Sequence, residues 1–154
     1  MARKSKIAVA ADHAGFPLKE KVRRYLADKG YEVTDYGTNS PDSVDYPDYA
    51  EKVATQVAAK DADFGVLICG TGIGSQIAAN RIPGVRACVC HECYSARISR
   101  AHNDANLLCL GARVIGVELA KELVRIWLAE PFSGEERHAR RLAKIAALDR
   151  ERGV

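Results

Sequence analysis

The chain has 154 residues, with 23 Lys and Arg against 20 Asp and Glu and a formal charge of +3 at pH 7. That length suits a single domain that buries its core without disulfides or structural metal, and so mild a charge excludes a general nucleic-acid or anionic-membrane binder. No run approaches the roughly 18 apolar residues of a membrane span, and residues 1–6 lead into a strand-like stretch rather than a signal-peptide core, so a cytoplasmic location is expected.

In chain order, the first strand is predicted over residues 7–11 and is followed by Asp12, His13, Ala14 and Gly15. A helix over 17–29 has Pro17 in its first turn, where a missing N–H costs nothing. Next come a strand over 31–36, a loop that carries Tyr46, and a helix over 47–59 opened by Pro47. The apolar run 64–69 reads as a buried strand. It runs into Cys69-Gly70-Thr71-Gly72-Ile73-Gly74 and a helix over 73–80. A strand over 85–90, a helix over 93–101, a strand over 106–110 with Arg113 just beyond it, and a helix over 117–129 complete the alternation. A last helix is expected to begin with Ser133 as cap and Glu136 reaching back, with Ala139, Leu142, Ile145 and Ala146 as its apolar stripe.

Strands that are apolar on both faces and alternate with helices predict an α/β, three-layer, doubly wound Rossmann-like fold around a five-stranded parallel sheet. In such sheets ligands bind beyond the carboxyl ends of the strands. The clusters at Asp12–Gly15, Tyr46, the Cys69 loop and Arg113 should therefore converge.

Cys69 stands where a strand meets a helix start. The glycines let backbone amides approach a ligand, and the helix dipole favours negative charge there, whether on a thiolate, a phosphate or an enediolate. A thiol so placed can be poised as a base or nucleophile, and the competing reading is a small buried hydrophobe. Gly70, Gly72 and Ser75 also half-imitate a dinucleotide fingerprint, with Glu92 as the acidic partner, but the motif follows the third strand rather than the first. The run Cys88-Val89-Cys90-His91-Glu92-Cys93 invites a zinc reading, yet holds a single Cys-x-x-Cys knuckle. Five cysteines, at positions 69, 88, 90, 93 and 109, favour free thiols over a disulfide framework. His13 and His102 lie in polar loops and can serve acid-base chemistry or merely cap helices. Arg137 and Arg141 share a helix face and can grip a phosphate or simply be solvated.

Taken together, Ala11-Asp12-His13-Ala14-Gly15, Asp45-Tyr46-Pro47, the loop Cys69 to Gly74, Ala78-Ala79-Asn80-Arg81, Tyr94-Ser95-Ala96-Arg97, His102-Asn103-Asp104, Gly111-Ala112-Arg113-Val114 and Arg137-His138 resemble the type B ribose-5-phosphate isomerases. These belong to a wider family of sugar-phosphate isomerases that includes galactose-6-phosphate and allose-6-phosphate isomerases. The resemblance covers nearly the whole chain. It implies aldose–ketose interconversion, most simply of ribose 5-phosphate and ribulose 5-phosphate, through a cis-enediolate without metal or other cofactor. The catalytic set it implies is Cys69 as base, His102 in ring opening with Asp12 and Tyr46 nearby, and Thr71. Gly70, Gly72, Ile73, Gly74 and Asn103 would hold sugar oxygens, and His13, Arg113, Arg137 and Arg141 the phosphate. It further implies a homodimer or dimer of dimers with shared active sites, the last helix packing on a partner subunit and bringing Arg137 and Arg141. Some relatives place a Glu base where this chain has Ser75, so the thiolate version is implied here; Glu135-Glu136 also stands where relatives commonly have two glycines. The alternatives are an isomerase of allose 6-phosphate, galactose 6-phosphate or a four-carbon sugar phosphate, or a nucleotide-binding sensor.

Overall fold

The period-two and period-3.6 patterns alternate along the chain, and the computed structural model, which describes residues 2–151, resolves them into eleven elements. They are β1 (Lys6–Ala11), α1 (Phe16–Asp28), β2 (Glu32–Asp35), α2 (Tyr46–Ala58), β3 (Phe64–Cys69), α3 (Ile73–Ala79), β4 (Ala87–Val89), α4 (Cys93–Ala101), β5 (Leu107–Gly111), α5 (Val117–Ala129) and α6 (Glu136–Glu151). All strand pairs are parallel, in the order β2-β1-β3-β5-β4. This is the expected three-layer doubly wound arrangement.

Alternate side chains of each strand feed opposite cores. Ile7, Val9, Ile68, Leu108 and Leu110 pack on one face with Leu18 and Val22 of α1, Ala96 of α4, and Leu123 and Trp127 of α5. Ala8, Ala10, Leu67, Leu107 and Cys109 pack on the other with Ala50, Val53 and Val57 of α2 and Ala79 of α3. Each fully buried Val or Leu contributes about 1.5–3 kcal/mol, so the two cores rather than helix propensity hold the layers together.

Three expectations need correction. The fourth strand is shorter than 85–90, because at the sheet edge the Arg86 amide is taken by Asn106 Oδ1 at 2.7 Å instead of by a ladder carbonyl. Tyr46 is the first residue of α2 rather than a loop residue, with Asp45 extended before it. The last helix starts at Glu136, not with Ser133 as cap: Gly134 takes φ +73°, Ser133 Oγ accepts only from the Glu135 amide at 3.4 Å, and Glu136 turns forward to Arg140 at 2.9 Å.

The order of the strands fixes where a ligand can go. From β1 the chain moves to β2 on one side, while β3 pairs on the other. A crevice therefore opens beyond the carboxyl ends of β1 and β3, where Asp12 and Cys69 stand. Among the described residues, no helix is long and apolar enough to cross a membrane.

Candidate active site

Cys69 ends β3 as a buried residue, 4% exposed, and the chain then reverses into α3 through Gly72, whose φ of +79° is costly for any residue with a side chain. That reversal aims the Gly72 amide at Cys69 Sγ, at 3.2 Å, and the Ile73 amide at Thr71 Oγ1, at 3.3 Å. An amide donor on sulfur favours negative charge there. Burial pushes Cys90 up to about 11, raises Cys88, and, reinforced by the neighbouring cysteines, carries Cys109 well above the usual thiol range.

Around this loop the expected clusters converge. Asp12, buried at the end of β1, accepts the Gly15 amide on Oδ1 at 3.0 Å, which closes the turn into α1. His13 Nδ1 accepts the Val44 amide at 3.2 Å, so its proton sits on Nε2. The Tyr46 ring lies so close to Gly74 that a methyl group there would come within 2.6 Å of it. The Arg113 guanidinium covers Gly70, and the backbone of the same segment is tied to the loop by Ala112 N–H to the Cys69 carbonyl at 2.9 Å and Arg113 N–H to the Gly70 carbonyl at 3.0 Å. Tyr46 and Arg113 thus lie against the loop that follows Cys69, and Asp12, whose amide donates to the Ile68 carbonyl at 3.3 Å, stands with His13 beside the end of β3.

His102, Asn103, Arg137 and Arg141 do not join them within the chain, so Asp12 and Tyr46 do not neighbour the His102 of their own chain. The reason is topological. A crossover helix in a parallel sheet begins at the carboxyl edge and must return to the amino edge before the next strand can start. His102 caps the far end of α4, and Asn103 leads toward β5. Leu107 pairs with Gly65 and Gly111 with Cys69, so that part of β5 alone puts about 13 Å between the two edges.

At the amino edge a second cluster forms. The His102 and His138 rings stack with centroids 4.0 Å apart and planes at 17°. His138 is the buried residue of α6, at 5% exposure, and its Nε2 has no hydrogen-bond partner among the described residues. Burial first, then the charges of His102, Arg137 and Arg141, favour its neutral form. Arg137 reaches Glu135 at 3.0 Å, while Ala139, Arg141, Ile145 and Ala146 face outward.

Two other readings weaken. Glu92 is engaged as the cap of α4, accepting the Tyr94 and Ser95 amides at 2.6 and 2.7 Å, which removes the acidic partner of a dinucleotide site. Cys90 is buried beside Ser99 Oγ, at 3.9 Å, in an apolar cluster against which Cys88 and Cys93 also pack, the behaviour of small hydrophobes. Three roles were not anticipated from the sequence, although His91 and His138 stood in motifs quoted above. His91 accepts the Gly111 amide, His138 carries the stack, and fully buried Lys19 binds Asp35 at 2.7 Å and the Thr38 carbonyl at 2.7 Å beneath the loop that leads to Tyr46. A lysine on an otherwise apolar helix face was the available signal for the last.

The family model described as Ribose/Galactose Isomerase matches residues 7–145. The chain is 50% identical over 147 residues to the ribose-5-phosphate isomerase B of Escherichia coli strain K12, covering 96% of this chain and 98% of that protein. It is 45% identical to the D-erythrulose-4-phosphate isomerase of Pectobacterium atrosepticum over 83% of this chain and 85% of that one. Among solved structures, the ribose-5-phosphate isomerase B of Clostridium thermocellum superposes with a TM-score of 0.94 at 49% identity, covering 96% and 99% of the two chains.

Proposed function

We propose, on the premise that this chain belongs to the Ribose/Galactose Isomerase family, that it is an aldose–ketose isomerase interconverting ribose 5-phosphate and ribulose 5-phosphate. The observation that supports this best is Cys69 Sγ held by the Gly72 amide at the mouth of the β1/β3 crevice, with Asp12, His13, Tyr46 and Arg113 around it.

The chemistry follows from those positions. Cys69, as thiolate, removes the proton from C2 of the open-chain aldose, and the electron pair moves onto O1 to give a cis-enediolate. The thiol, whose proton exchanges with solvent, then delivers a proton to C1 while a proton passes from O2 to O1, which leaves the ketose. Backbone amides of the 70–74 loop, with Thr71, hold the developing oxyanion, a contribution of the same order as that of the base. His13 offers Nε2–H and Arg113 its guanidinium to the phosphate, which holds the reacting carbons against sulfur.

Ring opening and the rest of the phosphate grip come from a second copy of the chain. His102, Asn103, Arg137 and Arg141 lie at the wrong edge of their own sheet, so only a partner can place them at a given Cys69. Exposed Ile73 and Ile77 on α3, and Ile145 and Leu148 on α6, supply apolar surface for that pairing. The Pectobacterium relative's name makes four-carbon sugar phosphates the competing substrates. A coupled assay over ribose, allose, galactose and erythrulose phosphates, run in deuterium oxide, tests the reading: turnover greatest on ribose 5-phosphate, with solvent deuterium in the product, is expected. Absence of carbon-bound deuterium and of turnover on every sugar phosphate overturns it.

A further inference from the structure

His91 lies two residues beyond the end of β4, at the edge of the sheet, and reaches across to β5. Its Nε2 accepts the Gly111 amide at 2.9 Å. An imidazole that accepts at Nε2 carries its proton on Nδ1, and an imidazolium, with N–H on both nitrogens, cannot accept at all. Burial lowers the pKa of His91, so its surroundings already favour the accepting form.

Gly111 is not an ordinary strand end. A methyl group on it would lie 2.7 Å from the Thr71 carbonyl carbon and oxygen and 2.8 Å from the Thr71 Cα, so its backbone lies directly against the Thr71 peptide. The two residues after it bind the Cys69 and Gly70 carbonyls through the Ala112 and Arg113 amides. Residues 111–113 therefore form a strap under the loop that carries the base, and the strap ends in a phosphate-binding arginine. Its first amide has a side chain, not a neighbouring strand, as acceptor.

We propose that His91 is a positioning residue for the isomerase reaction: its neutral imidazole anchors the 111–113 strap through Gly111, and so fixes Arg113 on the sugar phosphate and Thr71 at the enediolate. This rests on the function proposed above. His91 itself touches neither substrate nor Cys69; its effect passes through one amide hydrogen bond.

The test is a pair of replacements that differ in that bond. His91→Gln keeps an acceptor at about the reach of Nε2, whereas His91→Met keeps bulk without one. Loss of one hydrogen bond corresponds to a change of up to about tenfold. His91→Met is therefore expected to raise KM for ribose 5-phosphate and the inhibition constant of inorganic phosphate together, by up to that factor, with a smaller fall in kcat. His91→Gln is expected within about twofold of the parent on each measure, since the acceptor is restored. Amide exchange at Gly111 should accelerate in the Met variant and stay slow in the Gln variant. That readout needs no turnover, so it judges the anchor even if the parent protein were inactive on every sugar phosphate, an outcome that would sink the proposed function instead. If the Met variant does not fold, His91→Asn, one methylene too short to reach Gly111, takes its place. Unchanged KM, phosphate inhibition and Gly111 exchange in the variant without an acceptor overturn the proposal, as does a Gln variant as impaired as the Met variant.

Discussion

The two edges of the sheet are built differently. At the carboxyl edge the polar groups hold one another: Gly72 on Cys69, Gly15 on Asp12, Val44 on His13, and the 111–113 strap under the loop. At the amino edge the stacked His102–His138 pair and the arginines of α6 face outward, the apolar stripe of α6 is largely bare, and a buried imidazole nitrogen goes unpartnered among the described residues. On the function proposed above, one edge would be a cradle holding the base and part of the phosphate grip. The other would supply the acid and the remaining arginines. In the proposed enzyme the catalytic unit is consequently the contact between unlike edges of two chains.

The comparison is broken most severely at its first half. Cys69→Ala removes the base, so kcat should fall by about 10² to 10⁴ while phosphosugar binding by calorimetry persists. Undiminished turnover would mean that the sulfur is mere packing.

A mixing experiment bears on the division itself. Cys69→Ala and His102→Asn are each expected to be nearly inactive. If the two residues of one site come from different chains, a dimer purified with one of each carries one site with both defects and one with neither, and regains about half the parent activity. A mixed dimer as dead as its parents would place both residues in one chain's site, contrary to the topology.

The phosphate handles come next in size. Arg137→Ala with Arg141→Ala should raise KM by about tenfold or more, through the loss of charge-assisted bonds to the phosphate, with kcat less affected. Steady-state kinetics with ribose 5-phosphate decide it, and an unchanged KM would leave the two arginines as solvated surface.

How much of this was legible in the sequence follows the same division. The run 64–69, the glycines at 70, 72 and 74, and the Asp12–Gly15 turn are local patterns, and each announced both its element and its place at a strand's carboxyl end. Strand order was less accessible. Leu107–Gly111 sits inside the sheet and Ala87–Val89 at its edge, a consequence of burial that neighbours in sequence do not encode. The placement of His102 depended on following a helix back across the sheet, and a reading that placed site residues at strand ends had no cause to do so. His91 and His138 act through contacts with residues 20 and 36 positions away, at distances in sequence that no spacing pattern reports.

The smallest expected effect concerns the attachment of α6. His138 holds that helix to the body by stacking on His102, and its pKa is lowered from the ordinary value of 6.5, first by burial and then by the charge of His102. A histidine whose pKa is lower folded than unfolded binds fewer protons in the native state, so it contributes stability above the unfolded value that is lost as pH falls through the folded one. Docking of α6 should therefore weaken below about pH 6.5, faster amide exchange in α6 preceding any loss of the sheet. His138→Phe keeps the stack and removes the titration, so exchange in its α6 should lose that dependence on pH. Were α6 in this variant to loosen in acid as the parent does, the cause would lie elsewhere, with Asp149 on the Gly84 amide at 3.0 Å the next contact to examine.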